Sequence, residues 1–263
     1  KNAVKALYVP QSGIIDYKQV SEKLVEFLKE NNVSINLAEE VKEIKNKKNK
    51  VEIYTQNEIL ETNHAIICCG VHSDKFISNK MKNKFRVLPF KGEYFKLKNS
   101  SKKLVNGLIY PVPNLNFPFL GVHLTKTING DVEAGPNAVL SLSREGYEKF
   151  AFNFWDFISI ISWKGFWIFA LKYWRVGLYE LFRSFSKNSF KKALQILVPD
   201  IKSNSLEEGK SGIRAQIITN KGDLLDDFLI DHQMNLINVI NAPSPAATSS
   251  FAIAKKIIDK ISK

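Results

Sequence analysis

The segment at residues 65–69 is continuously apolar and ends at a glycine, Gly70. An apolar run of this length is typical of a strand inside a parallel sheet, where both faces are covered. Ligands of open α/β folds bind outside the carboxyl ends of such strands. The segment therefore predicts a parallel sheet in part of the chain, with a binding position at Gly70.

A helix and several short strands are predicted before this segment. Asp16 is a suitable N-cap, apolar residues follow it at helical spacing, and Asn31 with Asn32 predicts the turn that ends the helix. Short runs separated by polar turns predict four strands, at residues 33–37, 41–44, 51–54 and 58–60. The first quarter of the chain is thus predicted to mix helix and sheet.

The middle of the chain predicts a second sheet followed by helices. Alternating polarity predicts antiparallel strands at residues 85–98, 104–112, 119–125 and 131–134. Residues 145–185 hold all four tryptophans and predict a helical region interrupted at Gly165 and Gly177. A further helix at residues 190–197 is expected to end before Pro199.

The aromatic-rich helical region has two interpretations. Lys164 and Lys172 break its apolar run well short of the roughly 18 residues that a membrane span needs, so no transmembrane helix is expected. The region is either a helical pair packed on its own sheet or on another subunit, or a surface that contacts a bilayer through residues 150–185. We expect a cytoplasmic protein, peripheral on the inner membrane in the second case.

The charge distribution argues against a nucleic-acid partner. The formal net charge is +12, but the lysines are scattered without a long basic block or a nucleic-acid motif. A lysine-rich solvated surface is the simpler explanation. A basic module that binds membranes or nucleic acid without enzymatic activity stays open as an alternative.

Cysteine and histidine usage predicts neither disulfides nor metal. The only cysteines, Cys68 and Cys69, are adjacent, which excludes an ordinary disulfide framework and favours a reducing compartment. The four histidines show no paired ligand spacing. We therefore predict no metal site.

The C-terminal part combines strands, a proline-containing loop and a helix. Strands are predicted at residues 214–219, 228–231 and 236–240, and a helix at about residues 246–261. The loop between the last strand and this helix has the sequence NAPSPAAT, at residues 241–248. Since the N–H groups of a first helical turn are unpaired, this order suits an anion or a cofactor.

Eight blocks of the sequence resemble the L-2-hydroxyglutarate dehydrogenase/oxidase family, in family order. They are SGIIDY at residues 12–17, AIICCGVHSD at 65–74, PFKGEYF at 89–95, IYPVP at 109–113, FLGVHLT at 119–125, GPNA at 135–138, GIRAQ at 212–216 and the NAPSPAAT loop. The family usually has Arg where Lys91 stands, and Lys91 keeps the charge without the bidentate fork. Relatives commonly have Ala where this chain has Cys69.

The resemblance implies a D-amino-acid-oxidase-like flavoprotein of the α/β (α+β) class. A partial Rossmann-like FAD-binding domain would comprise residues 1–80 and 206–263, and an antiparallel-sheet substrate domain residues 81–205, with a helical insertion at about 145–198. The family's Gly-x-Gly-x-x-Gly turn, which seats the FAD pyrophosphate, does not occur in these 263 residues. We therefore expect a chain that starts beyond it, does not retain FAD by itself and is inactive alone.

The resemblance also implies which residues meet the cofactor, FAD. These are Val41, Cys69, Gly70, Gly212, Ile213, Arg214, Ser244, Pro245, Ala246, Ala247 and Thr248. The loop at residues 244–248 would aim backbone N–H groups of its non-proline residues at the reduced flavin, and the loops at Gly70, Gly212 and Pro243 would converge on the flat ring. By simpler interpretations, Gly70 is an ordinary strand-end glycine and Arg214 forms a surface ion pair.

The expected reaction is oxidation of L-2-hydroxyglutarate, or a close 2-hydroxy acid, to the 2-oxo acid. His123 is the candidate base for the hydroxyl proton, with Arg214 as the second catalytic candidate. Tyr94, Tyr110 and Asn137 are candidate substrate donors. His123 could instead be structural, with the base supplied from outside these residues, and an amino acid or glycerol phosphate is the alternative substrate. The sequence leaves the electron acceptor open.

Overall fold

The computed structural model describes residues 5–112 and 121–261. The helices are α1 (Tyr17–Glu30), α2 (Phe154–Ile161), α3 (Lys164–Phe185), α4 (Lys187–Leu197) and α5 (Ser250–Ile261). The strands are β1 (Val41–Asn46), β2 (Val51–Thr55), β3 (Ile59–Thr62), β4 (Ala65–Ile67), β5 (Phe85–Leu97), β6 (Leu108–Ile109), β7 (His123–Lys126), β8 (Val132–Gly135), β9 (Val139–Leu140), β10 (Leu206–Thr219), β11 (Leu224–Leu225), β12 (Leu229–Gln233) and β13 (Leu236–Asn241). Short 3₁₀ helices lie at Gly70–Phe76, Asn99–Leu104 and Ser203–Ser205.

The chain forms two compact units, each assembled from three separate stretches. The first unit consists of Lys1–Ala38, Gly92–Val139 and Leu178–Gly212. The second consists of Glu39–Lys91, Leu140–Gly177 and Ile213–Lys263. Helices and sheets occur in both, so the predicted mixed class is confirmed.

The first unit is built on an antiparallel sheet covered by α4. The whole sheet has seven strands in the order β11-β10-β5-β8-β7-β6, with β9 also paired to β5, and Leu124 of β7 lies opposite Ala134 of β8. Phe190 and Leu194 of α4 are fully buried in the same core as these strands. The ring of Phe190 lies 4.7 Å from that of Phe95 in an edge-on arrangement. The predicted antiparallel sheet is confirmed.

The second unit contains two small sheets. One is the antiparallel meander β1-β2-β3, and the other has the order β12-β13-β4. In the latter, β13 runs parallel to β4, with Leu236 opposite Ala65 and Asn238 opposite Ile67. The parallel pairing predicted for residues 65–69 is therefore confirmed. The strand is shorter than predicted and covered on one side only, because Ile67 is buried whereas Ile66 is 41% exposed.

Helix caps follow the sequence closely, because capping is a local interaction. The Asp16 side chain accepts a hydrogen bond from the backbone N–H of Lys18 at 2.9 Å, and Asn31 is the C-cap of α1. Helix α2 starts later than the predicted residue 145, after Asn153, whose side chain accepts from the N–H of Asp156. Helix α5 likewise starts at Ser250, four residues later than predicted.

Two predictions of extended structure were wrong. Residues 33–37 form no strand, since positive φ angles of 59° at Asn32 and 57° at Ala38 turn the backbone at both ends. The strand predicted at residues 104–112 shrinks to β6, because a 3₁₀ helix occupies Asn99–Leu104. Residues 113 and 119–120, which belong to predicted blocks, lie outside the described residues.

Neither predicted glycine interruption breaks α3. Gly177 lies inside the helix, and Gly165 lies in its first turn. The Thr219 carbonyl oxygen approaches Gly165 so closely that a Cβ would collide with it, so this glycine permits close packing. Helices α2 and α3 meet at a bend of 80°. Within the described residues no single helix is long and apolar enough to cross a membrane, although this bent pair meets that criterion by length and composition.

Candidate functional site

The carboxyl ends of β4 and β13 lie side by side in the second unit. After β4 the chain turns through the 3₁₀ helix Gly70–Phe76, whose Ser73 is fully buried. The Ser73 hydroxyl donates to the carbonyl of Ile240 at 2.9 Å, and the Asn238 side-chain amide donates to the carbonyl of Ser73 at 2.9 Å. These bonds tie the turn after β4 to the end of β13, from which residues 241–248 continue.

Gly70 adopts a conformation that most residues avoid and leaves open space beside it. Its φ angle is +53°, in the left-handed region. No described atom lies within 4 Å of the position that a Cβ would occupy. The backbone therefore turns at Gly70 and has open space beside it. Cys69, which precedes it, is half-buried.

The loop after β13 presents two unpaired backbone donors. The N–H of Ala246 is bonded to the Pro243 carbonyl at 3.0 Å, and that of Ser249 to the Pro245 carbonyl at 3.1 Å. Among the described residues, the N–H groups of Ala247 and Thr248 make no hydrogen bond, and both residues are exposed. Ser244 and Pro245 are also exposed, and Ala246 is half-buried. The loop can therefore donate hydrogen bonds to a ligand.

Arg214 is an exposed cation on β10. Within residues 5–112 and 121–261 its guanidinium makes no ion pair or hydrogen bond. The simpler interpretation, a surface ion pair, therefore has no partner among these residues. Gly212 and Ile213 lie where β10 passes from the first unit into the second. Gly212 also has no described atom within 4 Å of its Cβ position. Val41, at the start of β1, is 37% exposed.

His123 and Tyr110 form a stacked pair in the first unit. Their ring centroids are 4.3 Å apart, with planes inclined by 18°. The Nδ1 atom of His123 lies 3.2 Å from the carbonyl oxygen of Gly121. Because a carbonyl only accepts, Nδ1 carries the hydrogen, and in the neutral ring the lone pair is on Nε2. The ring is buried, at 8% exposure, whereas Tyr110 is 49% exposed.

Asn137 and Tyr94 lie around Glu93 in the same unit. The Asn137 side chain accepts from the Glu93 N–H and donates to the Glu93 carboxylate, both at 2.8 Å. Asn137 is buried, and both ends of its amide are used by Glu93. Half-buried Tyr94 packs its ring and backbone close to the Gly135 position. Both residues help to shape this region, and substrate contact by either stays a prediction.

The sequence arguments missed a buried ionic network in the second unit. Arg144 pairs with Asp74 and with Asp156, and it also donates to the carbonyl of Val71. Asp74 follows Gly70 by four residues, in a block already used for the resemblance. Asp74, the acidic residue that follows the predicted strand, was the only sequence feature that could have indicated this network. Its partner is 70 residues away in sequence and could not be named.

Lys91 and His72 have structural partners, again in the second unit. The Lys91 ammonium donates to the backbone carbonyls of Glu148 and Lys149, at 3.3 and 3.1 Å. A single ammonium can satisfy both carbonyls, so the change from the family's usual Arg is accommodated. His72 Nε2 lies 2.9 Å from the Glu145 carboxylate. The described residues contain no group of three or more His, Cys, Asp or Glu side chains that could hold a metal.

Comparison with known families identifies the chain. The model of the FAD dependent oxidoreductase family (DAO) matches residues 1–260. The chain belongs to this family. FAD is therefore the cofactor of the family, and the predicted α/β (α+β) class is confirmed.

Three similar proteins share the name L-2-hydroxyglutarate dehydrogenase. L-2-hydroxyglutarate dehydrogenase of Indibacter alkaliphilus is 46% identical over 258 residues, covering 97% of this chain and 65% of that protein. The mitochondrial enzyme of Dictyostelium discoideum is 40% identical, and the Escherichia coli enzyme is 37% identical, each covering 97% of this chain and 61% of the relative. The chain thus spans 61–65% of the length of these relatives.

Solved structures agree with this family assignment at the level of fold. L-α-glycerophosphate oxidase from Mycoplasma pneumoniae, with FAD bound, matches with a TM-score of 0.62 at 18% identity, covering 90% of this chain and 54% of that one. Glycine oxidase from Bacillus cereus matches with a TM-score of 0.52 at 14% identity, covering 87% and 51%. Sequence identities this low establish a shared fold and nothing about substrate.

The residues of the second unit fit a flavin cofactor. Gly70 leaves its backbone uncovered, and the loop after β13 offers the unpaired N–H groups of Ala247 and Thr248. Such donors suit the electron-rich pyrimidine side of a reduced flavin ring. The open space at Gly70 and the unpaired N–H groups of this loop are compatible with a bound flavin, and the contacts of these loops with FAD and their convergence with Gly212 stay predictions.

Proposed function

We propose that the protein containing this chain oxidises L-2-hydroxyglutarate, or a close 2-hydroxy acid, to the 2-oxo acid. The observation that carries this proposal is the similarity to L-2-hydroxyglutarate dehydrogenases across 97% of the chain at 37–46% identity. An amino acid or glycerol phosphate stays the alternative substrate that the sequence left open. The electron acceptor is not part of the proposal.

The FAD-binding residues of the proposal follow the prediction. They are Val41, Cys69, Gly70, Gly212, Ile213, Arg214, Ser244, Pro245, Ala246, Ala247 and Thr248. FAD supplies an acceptor for a hydride when bound. The two unpaired N–H groups of the loop stabilise negative charge next to them without having to reorient. We assign residues 1–80 and 206–263 to the FAD-binding domain and residues 81–205 to the substrate domain, with the insertion at about 145–198.

In this proposal His123 accepts the hydroxyl proton of the substrate at Nε2. The hydrogen on Nδ1, directed at the Gly121 carbonyl, keeps the lone pair on Nε2. Stacking on Tyr110 holds the ring in place, so that little orientational freedom is lost during the reaction. Tyr94, Tyr110 and Asn137 line the substrate side. A base outside this chain is the alternative that a His123 variant tests.

Arg214 binds a substrate carboxylate in the same proposal. Its guanidinium is exposed and has no carboxylate partner among the described residues, which leaves its charge available. A substrate with two carboxylates gains a charge-assisted hydrogen bond from such a group. Arg214→Lys keeps the charge and loses the fork, whereas Arg214→Met loses both.

Anaerobic flavin reduction tests the proposed substrate. The product of the whole coding region is mixed with L-2-hydroxyglutarate, its D enantiomer, L-lactate, glycine and glycerol 3-phosphate, and bleaching of the flavin absorbance is followed. We expect reduction to be fastest with L-2-hydroxyglutarate. Faster reduction by glycine or glycerol 3-phosphate would assign the alternative substrate, and a product without flavin would overturn the oxidoreductase proposal. Arg214→Met should raise the substrate KM at least 10-fold, and Arg214→Lys should recover part of this loss.

We also propose that residues 150–185 contact an anionic membrane surface. Trp155 and Leu171 are each 77% exposed, and Trp167 and Trp174 are each 54% exposed. These side chains would enter the interfacial region, while Lys and Arg residues of the same helices would approach lipid phosphates. A helical pair that packs on another subunit is the competing explanation.

Vesicle co-sedimentation distinguishes the two explanations of the exposed aromatic helices. We expect the unmodified protein to bind vesicles that contain anionic lipid. The double variant Trp155→Ala with Leu171→Ala should bind them with at least 5-fold lower affinity. Phe251→Ala in α5, where Phe251 is 68% exposed, is the matched control and should bind as the unmodified protein does. An unchanged double variant, or a dimer that forms through these residues without any vesicle binding, would contradict the membrane proposal.

A further inference from the structure

The two cysteines of the chain are adjacent, free and accessible at one strand end. Cys68 and Cys69 follow Ile67, the last residue of β4. Cys68 is exposed and Cys69 is half-buried, and neither is in a disulfide. Cys69 packs beside the apolar cluster that contains Ile67 and Val51. One thiol thus packs against its neighbours, while the other is exposed.

The backbone does not hold the two thiols on opposite faces of a strand. In a continuing strand, side chains of consecutive residues point away from each other. Strand β4 has already ended, however, and Cys69 adopts φ −95° and ψ 18°, outside the extended region. Burial raises the pKa of the Cys69 thiol, and the charge of a Cys68 thiolate raises it further. The backbone at Cys69 therefore does not impose the opposed side-chain directions of a continuing strand.

The two obvious uses of such a pair are disfavoured. Consecutive Cα atoms are about 3.8 Å apart, whereas an unstrained disulfide needs about 4.4–6.8 Å. Burial raises the pKa of both thiols, which lowers the thiolate fraction that reacts with oxidants. A structural zinc site needs four ligands, and the described residues provide no group of three. The donor set is two soft sulfur atoms and no further ligand.

We propose that Cys68 and Cys69 form a vicinal dithiol site for a trivalent, thiol-seeking metalloid, with arsenous acid as the ligand class. Two As–S bonds form and two As–O bonds break, and the hydroxyl groups leave as water with the two thiol protons. Arsenic stays trivalent and keeps its third hydroxyl group, so no oxidant is needed. The longer S–As–S bridge spans the adjacent residues without the strain of a disulfide.

Phenylarsine oxide is a suitable probe because two thiols displace its single oxygen as water. The 263-residue chain is treated with one equivalent in the presence of excess 2-mercaptoethanol and followed by intact-mass spectrometry. We expect one phenylarsenic group per chain, retained against the monothiol and removed by 2,3-dimercaptopropanol. Because these are the only cysteines, retained label reports on this pair alone.

Single-thiol variants decide whether chelation holds the metalloid. Cys68→Ser and Cys69→Ser should each lower retention at least 20-fold, because one thiol cannot resist exchange with excess monothiol. Circular dichroism checks that each variant folds, and Cys68→Ala, at the exposed position, replaces Cys68→Ser if folding fails. Retention by both folded single variants, or release of the label from the unmodified chain, would overturn the proposal. The experiment involves no flavin, so its outcome is independent of the proposed oxidoreductase activity.

Discussion

Arg144 and Asp74 form a bidentate ion pair in which Nη1 and Nη2 lie 2.7 and 3.0 Å from the two carboxylate oxygens. Both side chains are buried. The same carboxylate accepts a hydrogen bond from the Val87 N–H at 3.1 Å, and the guanidinium lies 3.4 Å from Asp156. The turn that follows β4, with Gly70 at its start, is therefore connected to β5 and to α2 by one buried network.

Removing the Arg144 guanidinium should destabilise the fold strongly. Arg144→Met leaves the Asp74 carboxylate buried without its cation, which costs about 3–5 kcal/mol. Urea unfolding at neutral pH measures the loss. Lys172→Met breaks the exposed Lys172–Asp223 pair, with a distance of 3.2 Å, and should cost much less, because solvent screens an exposed pair. Equal losses in the two variants would show that the buried pair contributes no more than a surface pair.

Replacing His123 should slow flavin reduction in the product of the whole coding region. His123→Ala removes the proposed base, and we expect the rate with L-2-hydroxyglutarate to fall roughly 100-fold or more. Stopped-flow absorbance under anaerobic conditions measures this step directly. His232→Ala, at an exposed histidine of β12, is the control and should leave the rate within about 2-fold. A fall of less than about 10-fold in His123→Ala would reassign His123 to a structural role.

Acid should destabilise the second unit partly through Glu52. Hydrogen bonds from Lys47 at 2.5 Å and from Tyr54 at 2.9 Å lower the pKa of Glu52 from the ordinary 4.5 to about 2. Because the folded-state pKa is the lower one, the stabilisation is present above about pH 4.5 and is lost as the pH falls towards 2.

The pH dependence of the Glu52 contribution can be isolated by substitution. Glu52→Gln should be less stable than the unmodified chain at pH 6, and the difference should shrink by pH 3. Urea unfolding at several pH values measures it. Glu61→Gln, at an exposed carboxylate paired with Lys50, is the matched control and should show a smaller change. A Glu52→Gln difference that stays constant from pH 6 to pH 3 would contradict the proposed linkage.

The 263-residue chain should retain less FAD than a full-length relative such as the Escherichia coli enzyme, of which it covers 61%. The Gly-x-Gly-x-x-Gly turn that seats the pyrophosphate in this type of flavoprotein does not occur in the 263 residues. After gel filtration we expect at least 10-fold less bound flavin with the 263-residue chain, measured by absorbance near the flavin band. Equal retention would mean that the residues present here supply most of the affinity, which would make the glycine-rich turn dispensable.

Local signals predicted many of the elements. Asp16 and Asn31 bound α1 as expected, and residues 65–67 of the apolar run form a parallel strand. Failures occurred where tertiary contacts or backbone turns intervened. Gly165 was interpreted as a helix interruption, but it makes room for the carbonyl of Thr219, which lies 54 residues further along the chain. No local pattern carries that information.

The candidate site, like the fold, was predictable from the sequence only in part. The blocks around Gly70 and at residues 241–248 were recognisable from the sequence, and the structure finds open backbone at the first and unpaired N–H groups in the second. The use of the Asn137 amide by Glu93 was not predictable, because the two residues are 44 positions apart. An amide that lines a pocket and an amide that bonds to a neighbouring strand look alike in sequence.

The sequence by itself determined the family, many of the helices and strands, and the loops where a flavin is expected. These follow from short-range periodicity, capping and motifs, whose physical basis lies within a few residues. Only the tertiary structure decided that Arg144 neutralises Asp74, that His123 stacks on Tyr110 and that the aromatic face of α2 and α3 is exposed. Burial and pairing depend on residues that are distant in the sequence and meet only in the folded protein. No local sequence pattern shows which residues will meet.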